Sequence, residues 1–296
     1  MPDRNRPKDL PALPSRAASA HKGDFGSVLI IGGSRGMAGA VVLAARAAMR
    51  AGAGTVTVAV PEDIFTVVAG HLVECMTALL QAQADGTIAE KAGQRLARAI
   101  ERADAVAFGP GLGRNENLSE LGRWVVENVP LPLVIDADGL NSIVPHVDRL
   151  RARSAPTVLT PHPKEMSRLA GRAMADVQAN REGTAEALAE RTGAVVVLKG
   201  QGTAIAAGGR TVVNPTGNPG MATGGSGDVL TGIIAAFIGQ GMQPVDAAVL
   251  GVYVHGLAGD LARDAVGEVS LIASDLIDHL PAAIRSIADG PAVSTT

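Results

Sequence analysis

The feature that most constrains this chain is a succession of short, continuously apolar segments, each closed by a glycine-rich or polar turn and followed by a stretch of helical periodicity. SVLIIGG (27–33), TVTVAV (55–60), MTALLQ (76–81), AVAFGPG (105–111), PLVIDADGL (132–140) and TVLTPHP (157–163) have strand length, while segments such as 86–101 and 115–128 space their apolar residues as helices do. A strand that is apolar on both faces must be covered on both faces, so the pattern predicts a mainly parallel sheet between two helical layers. After a helical stretch at 175–192, AVVVLKG (194–200), TAIAAGG (203–209) and TVVN (211–214) follow too closely for crossover helices. Antiparallel edge strands are expected there. Helices are expected at 225–240, 245–265 and 273–288. Residues 23–288 read as one α/β domain, between a flexible N-terminal segment (1–22) and a flexible C-terminal tail (289–296).

Thirty-six glycines and only 2% aromatic residues among 296 imply many tight loops around a core of Val, Leu, Ile and Ala. A net charge of −3 provides no field for nucleic acid or an anionic membrane surface, and neither is expected as a partner. The single Cys75 has no disulfide partner, and six scattered histidines give no zinc spacing, so Cys75 is expected to be a buried, inert thiol. The opening MPDRNRPKDLPALPSR lacks the apolar segment of a secretory signal, and no later run reads as the ~18 apolar residues of a membrane span. A cytoplasmic location is expected.

Ligands of open α/β sheets sit beyond the carboxyl ends of the strands, where helix N-termini present free N–H groups. The polar, glycine-rich segments fall at such positions: IIGGSRGMAG, GPGLGRN, DADGLN, TPHPKE and LKGQGT follow strands, and NPGMATGGSGD precedes the helix at 225. None is a dinucleotide or P-loop fingerprint, and G-G-S-G-D misses the G-x-S-x-G nucleophile elbow because position 228 is Asp. A serine hydrolase is therefore disfavoured. What GGSGD offers is an anion hole made of backbone N–H groups and a helix dipole. Spacing leaves two readings of Asp228: a general base for a hydroxyl attacking a bound phosphate, or a carboxylate that only complements the dipole.

The stretch GGSGDVLTGIIAAFIGQG resembles the phosphate-binding signature of the ribokinase-like fold, a three-layer αβα sandwich. Within that fold the chain resembles the ADP-dependent NAD(P)H-hydrate dehydratase family through GGSRGMAGAVVLAARAAMRAGAG (32–54), GPGLGRN (109–115), VIDADGLN (134–141), LTPHPKEMSRL (159–169), VVLKGQGTAI (196–205) and NPTGNPGMATGGSGDVLTG (214–232). The resemblance implies a lyase that repairs hydrated NADH or NADPH of S configuration. ADP phosphorylates the C6 hydroxyl, phosphate departs, and AMP remains, with Mg²⁺ as the metal.

The same resemblance makes Asp228 the base on that hydroxyl. Gly225, Ser226 and Gly227 would hold the transferring phosphoryl group; Ser226 stands where the family more often has Thr, and either hydroxyl can donate to phosphate. Ala40, Gly113 and His162 match positions that contact the hydrated nucleotide, and Lys199, Gly200, Gln201, Gly202 and Thr203 match the adenosine-nucleotide segment. Each has a structural alternative: a small residue at a helix start for Ala40, a turn for Gly113 and His162, a solvated charge for Lys199. Many ribokinase-like kinases carry Asn-x-x-Glu where this chain has His162 and Glu165, so Glu165 either orients hydrated Mg²⁺ or stabilises a helix start. Asp136 and Asp138 either assist metal or substrate or cap a turn. The rival activity is a small-alcohol kinase of the hydroxymethylpyrimidine or hydroxyethylthiazole type. A homo-oligomer, a tetramer, is implied, as is pairing with a separate NAD(P)H-hydrate epimerase, for which no domain is apparent.

Overall fold

The structure, a computed structural model, describes residues 7, 9–89, 92–115 and 117–288. Nine strands form one sheet in the order β3-β2-β1-β4-β5-β6-β7-β8-β9. They are β1 (Ser27–Ile31), β2 (Thr55–Pro61), β3 (Met76–Leu80), β4 (Ala105–Phe108), β5 (Leu133–Ile135), β6 (Thr157–Leu159), β7 (Val195–Leu198), β8 (Ala204–Ala207) and β9 (Arg210–Val213). Pairing is parallel from β3 through β7, and antiparallel for β7 with β8 and β8 with β9. The expected mainly parallel sheet with antiparallel edge strands is the one observed.

Strand alternation divides the apolar residues between two cores. Val28, Ile30, Val58, Val134 and Val197 face one layer, made of α1 (Ala38–Arg50), α2 (Phe65–His71), α9 (Ser226–Gly239), α10 (Pro244–Val266) and α11 (Ala273–Ala288). Leu29, Ile31, Phe108, Ile135 and Leu198 face the other, made of α3 (Gly93–Ile100), α4 (Asn117–Asn128), α5 (Ala137–Ile143), α6 (Pro163–Ala170), α7 (Met174–Ala179) and α8 (Arg181–Thr192). This is a three-layer αβα sandwich.

Several expectations are corrected. The helix expected at 86–101 starts only at Gly93, because Asp85 accepts from the Thr87 N–H and hydroxyl and closes a turn there. The 175–192 stretch divides at Asn180, whose side chain caps α8 by accepting from Gly183 N–H at 3.0 Å. Cys75 is half-buried rather than buried; desolvation, with Glu74 beside it, pushes its thiol up to about 11, which keeps it unreactive. In length and composition α10 does reach the apolar run of a membrane span, but two-thirds of its most apolar window (67%) is buried, between α9 and α11. In the opening segment, Leu10 and Leu13 pack on the core and Arg16 donates to the Gly52 carbonyl at 2.6 Å, with its guanidinium over the Phe25 ring. The tail at 289–296 lies outside the described residues.

Candidate active site

The carboxyl end of β5 delivers Asp136, only 1% exposed, to the N-cap of α5. One carboxylate oxygen accepts from Lys199 Nζ at 2.6 Å, and the other accepts from Thr231 Oγ1 at 2.7 Å. Three elements are thereby tied together: the end of β5, the end of β7 and the first turns of α9. Burial pulls the Lys199 ammonium down, but Asp136 and Glu165 outweigh it and hold the group above the usual lysine range, so it stays charged. The next residue, Ala137, is the one non-glycine with positive φ (49°) among the described residues. Such a conformation costs about 1–3 kcal/mol and persists only where the surroundings impose it.

The N-terminus of α9 lies beside this group. Gly225, at φ 90°, is its N-cap, a backbone conformation that residues with a side chain rarely adopt, and a Cβ there would also displace Leu43 Cδ1, 2.4 Å away. The first intrahelical bond runs from Val229 N–H to the Gly225 carbonyl at 3.1 Å. The N–H groups of Gly227 and Asp228 come before it and have no acceptor among the described residues. A Cβ on Gly227 would sit 3.1 Å from Lys199 Nζ and 3.5 Å from Asp136 Oδ2. The missing side chain therefore leaves a cradle with backbone donors on one wall and an ammonium on another. Such donors at a helix N-terminus are the kind that bind anions.

Asp228 stands in the first turn of α9, half-buried. Among the described residues nothing donates to its carboxylate, and every fully buried side-chain N or O atom has a partner, so its oxygens are open to the cleft. Burial, then the Asp136 charge, pushes the carboxyl up to about 7; Lys199 pulls against them, while Asp138 and Glu165 add to the rise. A carboxylate of that proton affinity is poised for proton transfer near neutrality.

His162 and Glu165 follow β6 and form a reciprocal cap on α6. His162 Nδ1 accepts from the Lys164 and Glu165 N–H groups at 3.0 and 3.3 Å, while Glu165 Oε2 accepts from His162 N–H at 2.8 Å. Accepting at Nδ1 requires a neutral ring, and burial together with the Lys199 charge lowers the imidazole's proton affinity. Glu165 is 5% exposed and is pushed up to about 7, by burial first.

The remaining predicted residues line the same end of the sheet. Gly113, at φ 86°, donates its N–H to Asp138 Oδ2 at 3.1 Å, and Asp138 also faces Arg114. Ala40, in the first turn of α1, abuts the same loop: a Cβ on Gly111 would lie 2.9 Å from the Ala40 Cβ. Lys199 to Thr203 form the β7–β8 turn; the Lys199 N–H donates to the Pro161 carbonyl at 2.9 Å, and Arg181 holds the Leu198 and Lys199 carbonyls from below. Gly200, Gln201, Gly202 and Thr203 lie outward of Lys199, with Gln201 exposed. Contacts and charge thus bring together Asp228, Gly225 to Gly227, Lys199, His162, Glu165, Asp136, Asp138 and Gly113.

Sequence reasoning missed Thr231 and His255. Thr231 had a signal, since three residues past Asp228 it shares that helix face. His255 had none, lying in an apolar helix 29 positions from Ser226. As for Mg²⁺, no cluster of three or more His, Cys, Asp or Glu side chains among the described residues forms a cage. That suits an ion that keeps several waters and takes its other ligands from nucleotide phosphates. Glu165 uses one lone pair on each oxygen toward His162 and keeps another, which is what orienting a metal-bound water requires.

A family model described as NAD(P)H-hydrate dehydratase matches residues 28–282. The bifunctional NAD(P)H-hydrate repair enzyme Nnr of Moorella thermoacetica is 46% identical over 276 residues, 93% of this chain and 52% of that protein. Its Escherichia coli counterpart is 39% identical over 269 residues, 90% of this chain and 49% of that protein. The chain spans about half the length of these relatives. The ADP/ATP-dependent NAD(P)H-hydrate dehydratase from Bacillus subtilis, co-crystallized with ATP/Mg²⁺, matches with a TM-score of 0.79 at 32% identity, covering 93% of this chain and 94% of that one. Hydroxyethylthiazole kinase from Pyrococcus horikoshii shares the fold, with a TM-score of 0.55 at 17% identity, covering 83% and 95% of the two chains.

Proposed function

The chain belongs to the NAD(P)H-hydrate dehydratase family, and from that premise we propose that it returns the S epimer of hydrated NADH or NADPH to the dihydronicotinamide, consuming ADP. The observation that carries the reading is Asp228: a carboxylate with no hydrogen bond or ion pair among the described residues, raised in proton affinity, next to a cradle of backbone N–H groups and the Lys199 ammonium.

The C6 hydroxyl oxygen attacks the β-phosphorus of ADP, the bond from that phosphorus to the bridging oxygen breaks, and AMP leaves. Asp228 accepts the hydroxyl proton. The C6–O bond of the phosphorylated hydrate then breaks, C5 gives its proton to the departing phosphate, and the C5–H electron pair becomes the ring double bond. Hydroxide is a poor leaving group and phosphate a good one, which is why the phosphoryl group is installed. The free N–H groups of Gly227 and Asp228, the Ser226 hydroxyl and the Lys199 ammonium stabilise charge on the transferring group. Glu165 would hold hydrated Mg²⁺ through water, and the chemistry such an ion would supply is neutralisation of phosphate charge. Gly113, Ala40 and His162 flank the hydrated nucleotide, and the Lys199 to Thr203 turn flanks the adenosine nucleotide. A small-alcohol kinase is the weaker reading, since such kinases match this chain at the level of fold alone.

A cytoplasmic homotetramer that depends on epimerisation of the R hydrate by another domain or protein completes the proposal. The bifunctional relatives, about twice as long, support the second activity; light scattering of the purified protein tests the tetramer. The test of function is incubation with hydrated NADH, ADP and Mg²⁺, following near-ultraviolet absorbance and AMP. Recovery of absorbance with stoichiometric AMP is expected; a stable phosphorylated product without recovery would point to a kinase.

A further inference from the structure

We propose that His255 is the positioning residue that turns the Ser226 hydroxyl outward as a hydrogen-bond donor to the transferring phosphoryl group. This rests on the phosphoryl-transfer reading above. His255 lies in the middle of α10, 8% exposed, outside every segment that carries the family resemblance. Its Nε2 is 2.9 Å from the Ser226 carbonyl oxygen and 3.3 Å from Ser226 Oγ.

Those two distances determine where two hydrogens go, the one on the imidazole and the one on the hydroxyl. A carbonyl oxygen only accepts, so Nε2 must carry the hydrogen; the other neutral tautomer would set a lone pair against the carbonyl. The single Nε2–H is then shared between the carbonyl and Oγ, and toward His255 the hydroxyl is an acceptor as well. Its own proton cannot point at the imidazole and is left for another acceptor. Burial pushes the ring down to about 4, against the raising effect of the Ser226 carbonyl and with the Lys199 charge, so the arrangement is the neutral ring's at working pH.

Ser226 is the first residue of α9, between Gly225 at the N-cap and Gly227 at the cradle. A hydroxyl proton released there joins the N–H groups of Gly227 and Asp228 as a third donor toward one anion. Without the His255 N–H, the serine hydroxyl would be free to rotate inward and hydrogen-bond elsewhere. α10 thus acts on the chemistry through one imidazole. The same helix also holds the preceding loop, where Asp260 accepts from the Gly217 N–H and the Asn218 amide at 3.0 Å each.

The test is a double-mutant cycle on dehydration of hydrated NADH, reading kcat and the KM for ADP separately. Ser226→Ala should lower kcat by about 10²-fold, the effect of removing one oxyanion donor, with KM changed less than about 3-fold. His255→Leu should lower kcat by about 10-fold or more, and the double variant should be no slower than Ser226→Ala alone, because His255 acts through the hydroxyl. His255→Gln, whose amide donor reaches as far as Nε2, should recover kcat to within about 3-fold of wild type. If the Leu variant does not fold, His255→Asn, too short to reach Ser226, takes its place in the cycle with the same expectation. Losses that multiply in the double variant, or a Gln variant as slow as the Leu or Asn one, would overturn the inference while leaving the dehydratase reading intact. No turnover by the wild type would overturn both.

Discussion

The starts of α5 and α9 each present an aspartate to the same cleft, and the two are in opposite states. Asp136 is enclosed, with one oxygen on Lys199 and the other on Thr231. Asp228 has no hydrogen bond or ion pair among the described residues, and burial and neighbouring carboxylates raise its proton affinity. Residue type is therefore no guide to role; what separates them is whether the fold supplies donors. Asp136 holds a lysine and a strained backbone in place, whereas Asp228 is left unstable as an anion and available for a proton.

Breaking the satisfied side should give the largest effect on stability. Lys199→Met leaves the Asp136 charge buried and unpaired, and unfolding by urea should show a loss of about 3–5 kcal/mol. If stability barely changes, Asp136 does not anchor β5, β7 and α9 together. Thr231→Val removes one donor from the same carboxylate and should cost about 1–3 kcal/mol by the same assay.

The unsatisfied side should behave in reverse. With its folded proton affinity near pH 7 and its unfolded one near 3.8, Asp228 binds more protons folded than unfolded between those values. The Asp228 contribution to stability should thus fall as pH rises from about 4 to 7, read as the difference between wild type and the Asn variant. Asp228→Asn removes that penalty and should gain about 1–2 kcal/mol at pH 8, discounted for partial solvent screening, and nothing at pH 4. A variant less stable than wild type at pH 8 would mean that the carboxylate has an unrecognised partner. The smallest change concerns the strain beside Asp136: Ala137→Gly relieves the positive φ and should stabilise by about 0.5–1 kcal/mol in thermal denaturation.

The contrast between these carboxylates also marks how far the sequence could be read. All nine strands were legible: the central ones because a strand covered on both faces is written as a continuous apolar run, and the half-exposed edge strands β3 and β9 as short runs set off by polar or glycine-containing turns. α5 was not, because DADGLN carries turn residues, and Asp136 occupies the N-cap position of a helix that begins on an alanine of positive φ while its side chain bonds Lys199 and Thr231 instead of capping. The helix expected at 86–101 was drawn too long because the Asp85–Thr87 turn depends on side-chain hydrogen bonds that no periodicity records. The blocks around Gly113, His162, Lys199 and Ser226 were legible as loops at strand ends. The pairs that give them meaning were not: Lys199 meets Asp136 across 63 positions and His255 meets Ser226 across 29, and only the packed layers bring them together.

The central claim is that Asp228 is the base, and the turnover of Asp228→Asn tests it most directly. With hydrated NADH, ADP and Mg²⁺ at pH 8, the variant should lose about 10²-fold or more in turnover while keeping wild-type stability or better. The wild-type kcat/KM should fall as pH drops through about 7, where the carboxyl gains its proton. Turnover near wild type in a folded Asn variant would contradict the account and return Asp228 to the role of a charge that complements a helix dipole.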